Sequence, residues 1–217
     1  MDKYQIAVIG DIIQSRSLKD RYGAQEKMSA VLNKINSLFS GHVASRFIIT
    51  LGDEFQGLLL PDSPVYTILR SIIEEMYPIK IRFGVGFGEI YTRRTESAIG
   101  MDGPAFIDAR KAMLEAKKGE GYRIIFHSEV MMTDEVRDIN AMLTMATVIR
   151  KLWGDRFLRI LPTLRKGIKQ SEVARRHGLT QSNISQHIKN NYFEEVKEAE
   201  KTIDAFINDT LAGYRQV

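Results

Sequence analysis

The chain has no cysteine among its 217 residues, which excludes disulfides and thiolate-held metals. Its four histidines, His42, His127, His177 and His187, show no metal-ligand spacing. No apolar run approaches the roughly 20 residues needed to cross a bilayer. The opening "MDKYQIAVIGDII" lacks the basic start and small-residue cleavage site of a secretory signal, so a cytoplasmic protein is expected. There is no Pro/Gly-rich linker, internal repeat or low-complexity segment.

What is present is an ordinary globular composition, 44% hydrophobic and 27% charged, long enough for one large or two small domains. The formal charge of +4 is unevenly spread. Residues 1–144 carry 18 basic and 19 acidic side chains, whereas residues 145–217 carry 13 and 8. Ten basic residues face only Asp155 and Glu172 between Arg150 and Lys189. Such a block suits a polyanion partner, and equally a solvated basic face.

Hydrophobic spacing orders the elements. "YQIAVIGDI" reads as a buried strand, and Met28, Val31, Leu32, Ile35, Leu38 and Phe39 recur at helical spacing. "RFIITL" and "FQGLLL" read as strands joined through Gly52-Asp53-Glu54. "PDSP" offers Asp62 or Ser63 as a cap for a second amphipathic helix. In "IKIRFGVGFGEIYT" one face carries Ile79, Ile81, Phe83, Val85 and Phe87 and the other Gly84, Gly86 and Gly88. Three glycines in register imply the close approach of a ligand or of a packed helix. Pro104 opens a third helix, and "YRIIFHSEV" is a further strand. This order fits an α+β fold: a ferredoxin-like, antiparallel sheet layered with helices, followed by an all-α part. The expected parts are residues 1–135 and 136–217, joined by a helix near Asp134–Lys151.

"QSEVARRHGLTQSNISQHI", Gln170 to Ile188, has a mechanical reading at each position. Val173 and small Ala174 face inward, Gly178 closes the first helix, Leu179 plugs the core and Thr180 caps the second helix. Ile184 and Ile188 lie four apart on its buried side. Thr180, Gln181, Ser182, Asn183, Ser185, Gln186 and Lys189 remain for base edges and phosphates. The segment resembles the helix-turn-helix of bacterial DNA-binding proteins, departing at His177, where that pattern prefers an aliphatic residue. His177 reads as a core-edge residue. A helix pair used only for dimerisation is the alternative. Trp153, Phe157, Ile160 and Leu164, just upstream, have core spacing.

Asp11 ends a strand and Asp53 sits at a hairpin tip. Each alone is an ordinary turn former. Together they could present two carboxylates to Mg²⁺ or Mn²⁺, hard ions that accept one or two carboxylates plus phosphate and water. "VIGDII", "TLGDEFQGLL", "IRFGVGFGEI", "GPAFIDARKA" and "IIFHSEV" occur in the order of the motifs of class III nucleotide cyclases, and residues 4–130 resemble that catalytic domain. The hairpin also echoes the Gly-Gly-Asp-Glu-Phe of diguanylate cyclases, with Leu51 in place of the first glycine. The resemblance implies metal ligation by Asp11 and Asp53 and a phosphate contact at Arg110. The base-reading lysine is replaced by Ile49 and the transition-state asparagine by Phe106, losses that disfavour cyclisation.

The order "GDIIQSR…GDEFQG…GMDGPAFIDAR" followed by a helix-turn-helix resembles the SatD family over nearly the whole chain, which implies a bacterial protein. Ser15, Arg16, Asp102 and Arg110 are the other polar residues of those blocks, with Arg16 and Arg110 suited to clamp phosphate. The expected protein is a dimeric DNA-binding regulator whose degenerate cyclase-like part binds a nucleotide or another small anion. A metal-dependent nucleotidyl or phosphoryl transferase using Asp11 and Asp53 is the alternative, and a ligand-free dimerisation module the third.

Overall fold

A computed structural model describes residues 3–119 and 121–214. Strand β1 (Tyr4–Ile12) is central, and buried from Gln5 onward. It pairs antiparallel with β3 (Glu54–Leu59) on one side and β4 (Ile81–Glu89) on the other. β2 (Val43–Leu51) completes the outer hairpin with β3. The sheet order is β2-β3-β1-β4-β5, and β5 (Ile124–His127) runs parallel to β4. The expected antiparallel sheet is therefore mixed. The parallel step follows from the helical crossover that joins β4 to β5, a connection long enough to return the chain in the same direction.

Helices α1 (Arg21–Leu38) and α2 (Val65–Met76) cover one face. There Ile6, Val8, Phe55, Phe83, Val85 and Phe87 form the main core with Met28, Ile35, Ile68 and Ile72. Leu38, expected inside, is exposed on the last turn of α1. Asp20 caps α1 by accepting from the amide of Gly23 at 2.8 Å.

The other face takes α3 (Pro104–Lys117), with Pro104 in its first turn as its fixed φ favours. A Cβ on Gly84 would lie 2.3 Å from the Ala109 carbonyl oxygen, and one on Gly86 2.1 Å from that of Ala105. The glycine stripe therefore accommodates a helix backbone rather than a ligand.

Beyond the sheet come α4 (Thr133–Leu152), α5 (Asp155–Leu164), α6 (Gln170–Arg176), α7 (Gln181–Asn190) and α8 (Phe193–Ala212). Trp153 and Gly154 separate α4 from α5. Trp153, Phe157, Ile160, Leu164, Val173, Ala174, Ile184 and Phe193 form a second small core, with Leu179 packed against it. The helical region does not stand apart. Ile139 and Leu143 of α4 and Ile203, Ile207 and Leu211 of α8 join the main core beside the sheet.

A buried ionic network also fastens the two regions. Glu74 on α2 meets Arg70 at 3.1 Å, Arg150 at 3.1 Å and Arg165 at 3.3 Å. Glu200 on α8 meets Arg165 at 2.6 Å and Arg70 at 3.6 Å. Burial opposes charge on Glu74, but the guanidinium groups of Arg70, Arg150 and Arg165 together hold its pKa below the usual carboxylate range.

Candidate functional site

Strand register builds the end of the sheet. Asp11 lies opposite Glu54 on β3 and Arg82 on β4, so three adjacent strands present acid, acid and base in a row on the α3 face. Arg82 Nε donates to Asp11 at 2.9 Å. From α3, Arg110 reaches Glu54 at 2.6 Å. Lys117 sits between the two acids, 3.4 Å from Asp11 and 3.9 Å from Glu54. Burial raises the Asp11 pKa; Lys117 and Arg82 pull it down and Asp53 pushes it up, leaving it above its ordinary value. Glycines 84 and 86 let α3 lie close enough to the sheet for this pairing.

Asp53 is near enough to Asp11 to repel it but is held by different groups. Its carboxylate accepts from the buried Ser15 hydroxyl, and its carbonyl accepts from the Ile12 amide at 3.0 Å. Gln14, at a left-handed φ of 55°, turns the chain after β1 so that Ser15 points back to the hairpin. Asp53 and Ser15 line a cavity of about 220 Å³ with Arg21, Tyr22 and Gln25. Arg16 is exposed beside it and does not line it.

Asp102 and Arg110 border a separate groove of about 360 Å³ with Gln56, Phe106 and Lys111. Asp102 accepts from its neighbouring Gly103 amide at 2.8 Å, ordering the turn before α3. Ile49 packs on the main-core side of the hairpin, and Phe106 is buried against the sheet; neither can hydrogen-bond a base.

The residues expected to gather at one point thus occupy three neighbouring places. Both Asp11 oxygens face cations, and among the described residues no group of three or more His, Asp or Glu is disposed to hold a metal. This donor set does not fit a resident divalent ion, because Arg82 and Lys117 already neutralise Asp11. Glu54, Arg82 and Lys117 are the members not singled out from sequence. The signal for Arg82 was its place two residues before Gly84 in the cyclase-like strand; Glu54 and Lys117 emerge only with strand register and helix placement.

In the helical region, α6 and α7 are joined by a short turn. Gly178 takes a φ of +63°, and the Leu179 amide donates to Ala174 at 2.9 Å. Thr180 caps α7, its hydroxyl accepting from the Asn183 amide at 3.1 Å and meeting the Asn183 side chain at 2.9 Å. These two polar groups are therefore engaged with each other. Gln181, Ser182, Ser185, Gln186 and Lys189 are exposed, and Ile184 is buried as expected. His177 is half-buried and hydrogen-bonds Thr163 at 2.9 Å, a core-edge role.

Much of the basic block is used internally. Arg150 and Arg165 enter the buried network, Arg159 pairs with Asp155, and Arg175 and Arg176 pair with Glu172. Among the described residues, no salt bridge engages the exposed Lys166, Lys169 and Lys189.

Fold and site define an α+β protein with a ferredoxin-like sheet extended by one parallel strand, a charge cluster at the strand ends and an appended set of helices. The chain belongs to the SatD family, whose model matches residues 5–203. No curated protein matches it. Solved structures that it resembles include a bacterial light-regulated adenylyl cyclase, at 16% identity and a TM-score of 0.45, covering 65% of this chain and 81% of that one. The catalytic core of a rhodopsin-guanylyl cyclase with converted specificity, in complex with ATPαS, aligns at 17% identity and a TM-score of 0.42, over 57% and 78%. The guanylyl cyclase domain of the RhoGC fusion protein from the aquatic fungus Blastocladiella emersonii gives 17% and 0.42, over 57% and 79%. Likeness this distant carries no argument about activity. Among the described residues, no helix is long and apolar enough to cross a membrane.

Proposed function

We propose that the protein is a DNA-binding regulator that reads its site with α7, acts as a homodimer, and receives a nucleotide or other small anion at the sheet end. The observation that carries this reading is the outward face of α7. Gln181, Ser182, Ser185, Gln186 and Lys189 stand exposed on a helix whose opposite side is anchored by Ile184. Short amides and hydroxyls suit base edges, and Lys166, Lys169 and Lys189 supply phosphate contacts. One such unit reads a half-site, so two copies are expected across a two-fold site.

At the sheet end, the three cations Arg82, Arg110 and Lys117 face two carboxylates, Asp11 and Glu54. An incoming phosphate can compete for Arg110 and Lys117, whose side chains are about half exposed and 39% exposed. The transferase reading has less support, since Asp11 is paired with Arg82 and Lys117 rather than open.

The test is selection of bound sequences from a random duplex pool with the full chain. Enrichment of two half-sites about one helical turn apart is expected, and is lost in Ser182→Ala/Gln186→Ala. A pool that shows no enriched sequence sinks the DNA reading. Calorimetric titration with nucleoside triphosphates plus Mg²⁺ or Mn²⁺, beside Asp53→Asn and Arg110→Gln, checks the anion site.

A further inference from the structure

A cavity of about 490 Å³ shares no lining residue with the two cavities at the sheet-end cluster and is larger than either. Its walls come from the α2–β4 connection (Tyr77, Lys80), from Tyr122 before β5, and from the α4–α5 junction (Arg150, Lys151, Trp153). Three aromatic rings and three cations thus share one space. Lys80 and Lys151 are exposed, and the Lys151 ammonium stands 5.6 Å from the Tyr122 ring centre. Arg150 is only 5% exposed. Its Nη1 donates to Glu74 at 3.1 Å, while its Nη2 is buried with no hydrogen-bond partner. That nitrogen is closed off from solvent, and the guanidinium lies 5.8 Å from the Trp153 ring centre, so Arg150 places its charge behind the aromatic wall of the cavity. Asp155 is the one carboxylate among the described lining residues, and it is engaged by the Tyr77 hydroxyl and by Arg159 at 2.8 Å.

We propose that this cavity binds a small anion with a planar ring. Tyr77, Tyr122 and Trp153 receive the ring, and Lys80 and Lys151, with the buried charge of Arg150 behind them, receive the acidic group. The volume suits a ligand of that size, and an apolar pocket with a few convergent polar groups is the usual form of such a site. Its position gives binding a consequence. The lining joins the start of β4 at Ile81 to α5 at Leu158, and α5 carries the small core on which α6 and α7 are mounted. An occupant favours one setting of the α4–α5 junction, and so of α7, by binding that setting more tightly. The effect on DNA rests on the function proposed above; the binding itself does not.

Trp153 is the only tryptophan in the sequence and lines this cavity, so its fluorescence responds to an occupant here, and the variants below assign the response to the site. The full chain is titrated with anilinonaphthalene sulfonate, an aromatic anion. The expected result is saturable quenching of Trp153 with energy transfer to the probe at one equivalent. Lys80→Met/Lys151→Met weakens binding by about tenfold or more, in line with losing charge-assisted contacts. Both lysines are exposed, so this variant keeps its fold. Asp53→Asn leaves the titration unchanged. A non-saturable response, or equal affinity in the double lysine variant, overturns the proposal as an adventitious additive only. Loss in Asp53→Asn with retention in the lysine variant assigns the probe to the sheet end and also overturns it. DNA selection that fails while the Trp153 titration succeeds rejects the regulator and leaves this site standing.

Discussion

Asp204 closes the start of α2 through Thr67, accepting its amide at 3.2 Å and its hydroxyl at 2.6 Å. The same carboxylate takes the Tyr66 amide at 2.7 Å. The cap expected from Asp62 or Ser63 is thus supplied by a residue on α8. Ser63 instead donates to the His42 carbonyl at 3.0 Å. Asp204→Ala leaves buried amides unpaired and is expected to cost on the order of 2–3 kcal/mol in urea unfolding. Asp204→Asn keeps an acceptor and is expected to cost less. An alanine variant with the wild-type midpoint and slope rejects the cap. Burial raises the Asp204 pKa despite these bonds, so the folded chain holds this proton more tightly than the unfolded one. Its contribution to stability is therefore lost as pH rises through the folded midpoint.

Glu74 is the opposite case. Removing its charge in Glu74→Gln leaves Arg70 and Arg165 facing Glu200 alone and takes from Arg150 its carboxylate partner. A loss of about 3–5 kcal/mol is expected, because an unbalanced buried charge is worse than none. A double-mutant cycle with Arg150→Met is expected to show coupling above about 0.5 kcal/mol, and additivity would deny the contact. Since the folded pKa is depressed, the stabilisation is present above the unfolded value of about 4.5 and fades as pH falls through the folded one.

At Gly86 even one methyl group meets backbone, 2.1 Å from the Ala105 oxygen and 2.3 Å from the Ala109 nitrogen. Gly86→Ala is expected to push α3 off the sheet at a cost of about 1–3 kcal/mol or more. Nucleotide titration of the same variant is expected to weaken, since Arg110 and Lys117 ride on α3. Unchanged stability is the outcome that contradicts the packing.

Lys117 is the strongest influence lowering the Asp11 pKa, ahead of Arg82. Carbon-detected NMR titration of Asp11 is expected to move to higher pH in Lys117→Met and to move less in Arg82→Met. Asp53→Asn is expected to shift it downward, by removing a like charge. An Asp11 curve indifferent to Lys117 excludes the pair.

Local patterns were legible where one residue's neighbours decide its role. The period-two face of β4, the proline start of α3 and the Gly178–Thr180 turn all follow from backbone chemistry readable in a few residues. The parallel direction of β5 was not, because it depends on how the chain returns after α3. Nor was the site. Asp11 and Asp53 share a motif order, yet register gives Asp11 to Glu54 and Arg82, while the turn at Gln14 gives Asp53 to Ser15. The basic block had the same weakness: Arg150 and Arg165 count toward a surface charge in sequence but are consumed by Glu74 and Glu200 in the fold.

The insertion of Ile203, Ile207 and Leu211 into the main core bears on how the protein is made. A ribosome releases the strands and α2 long before it releases α8. Until α8 emerges, the nascent chain holds a sheet with part of its apolar face open and an α2 whose first amides and Arg70 lack their α8 partners. Such surfaces are what chaperones recognise and what aggregates form on. Final closure of the main core therefore waits for α8, and shortening α8 is expected to be felt first as poor yield from cells rather than as a change in any ligand affinity.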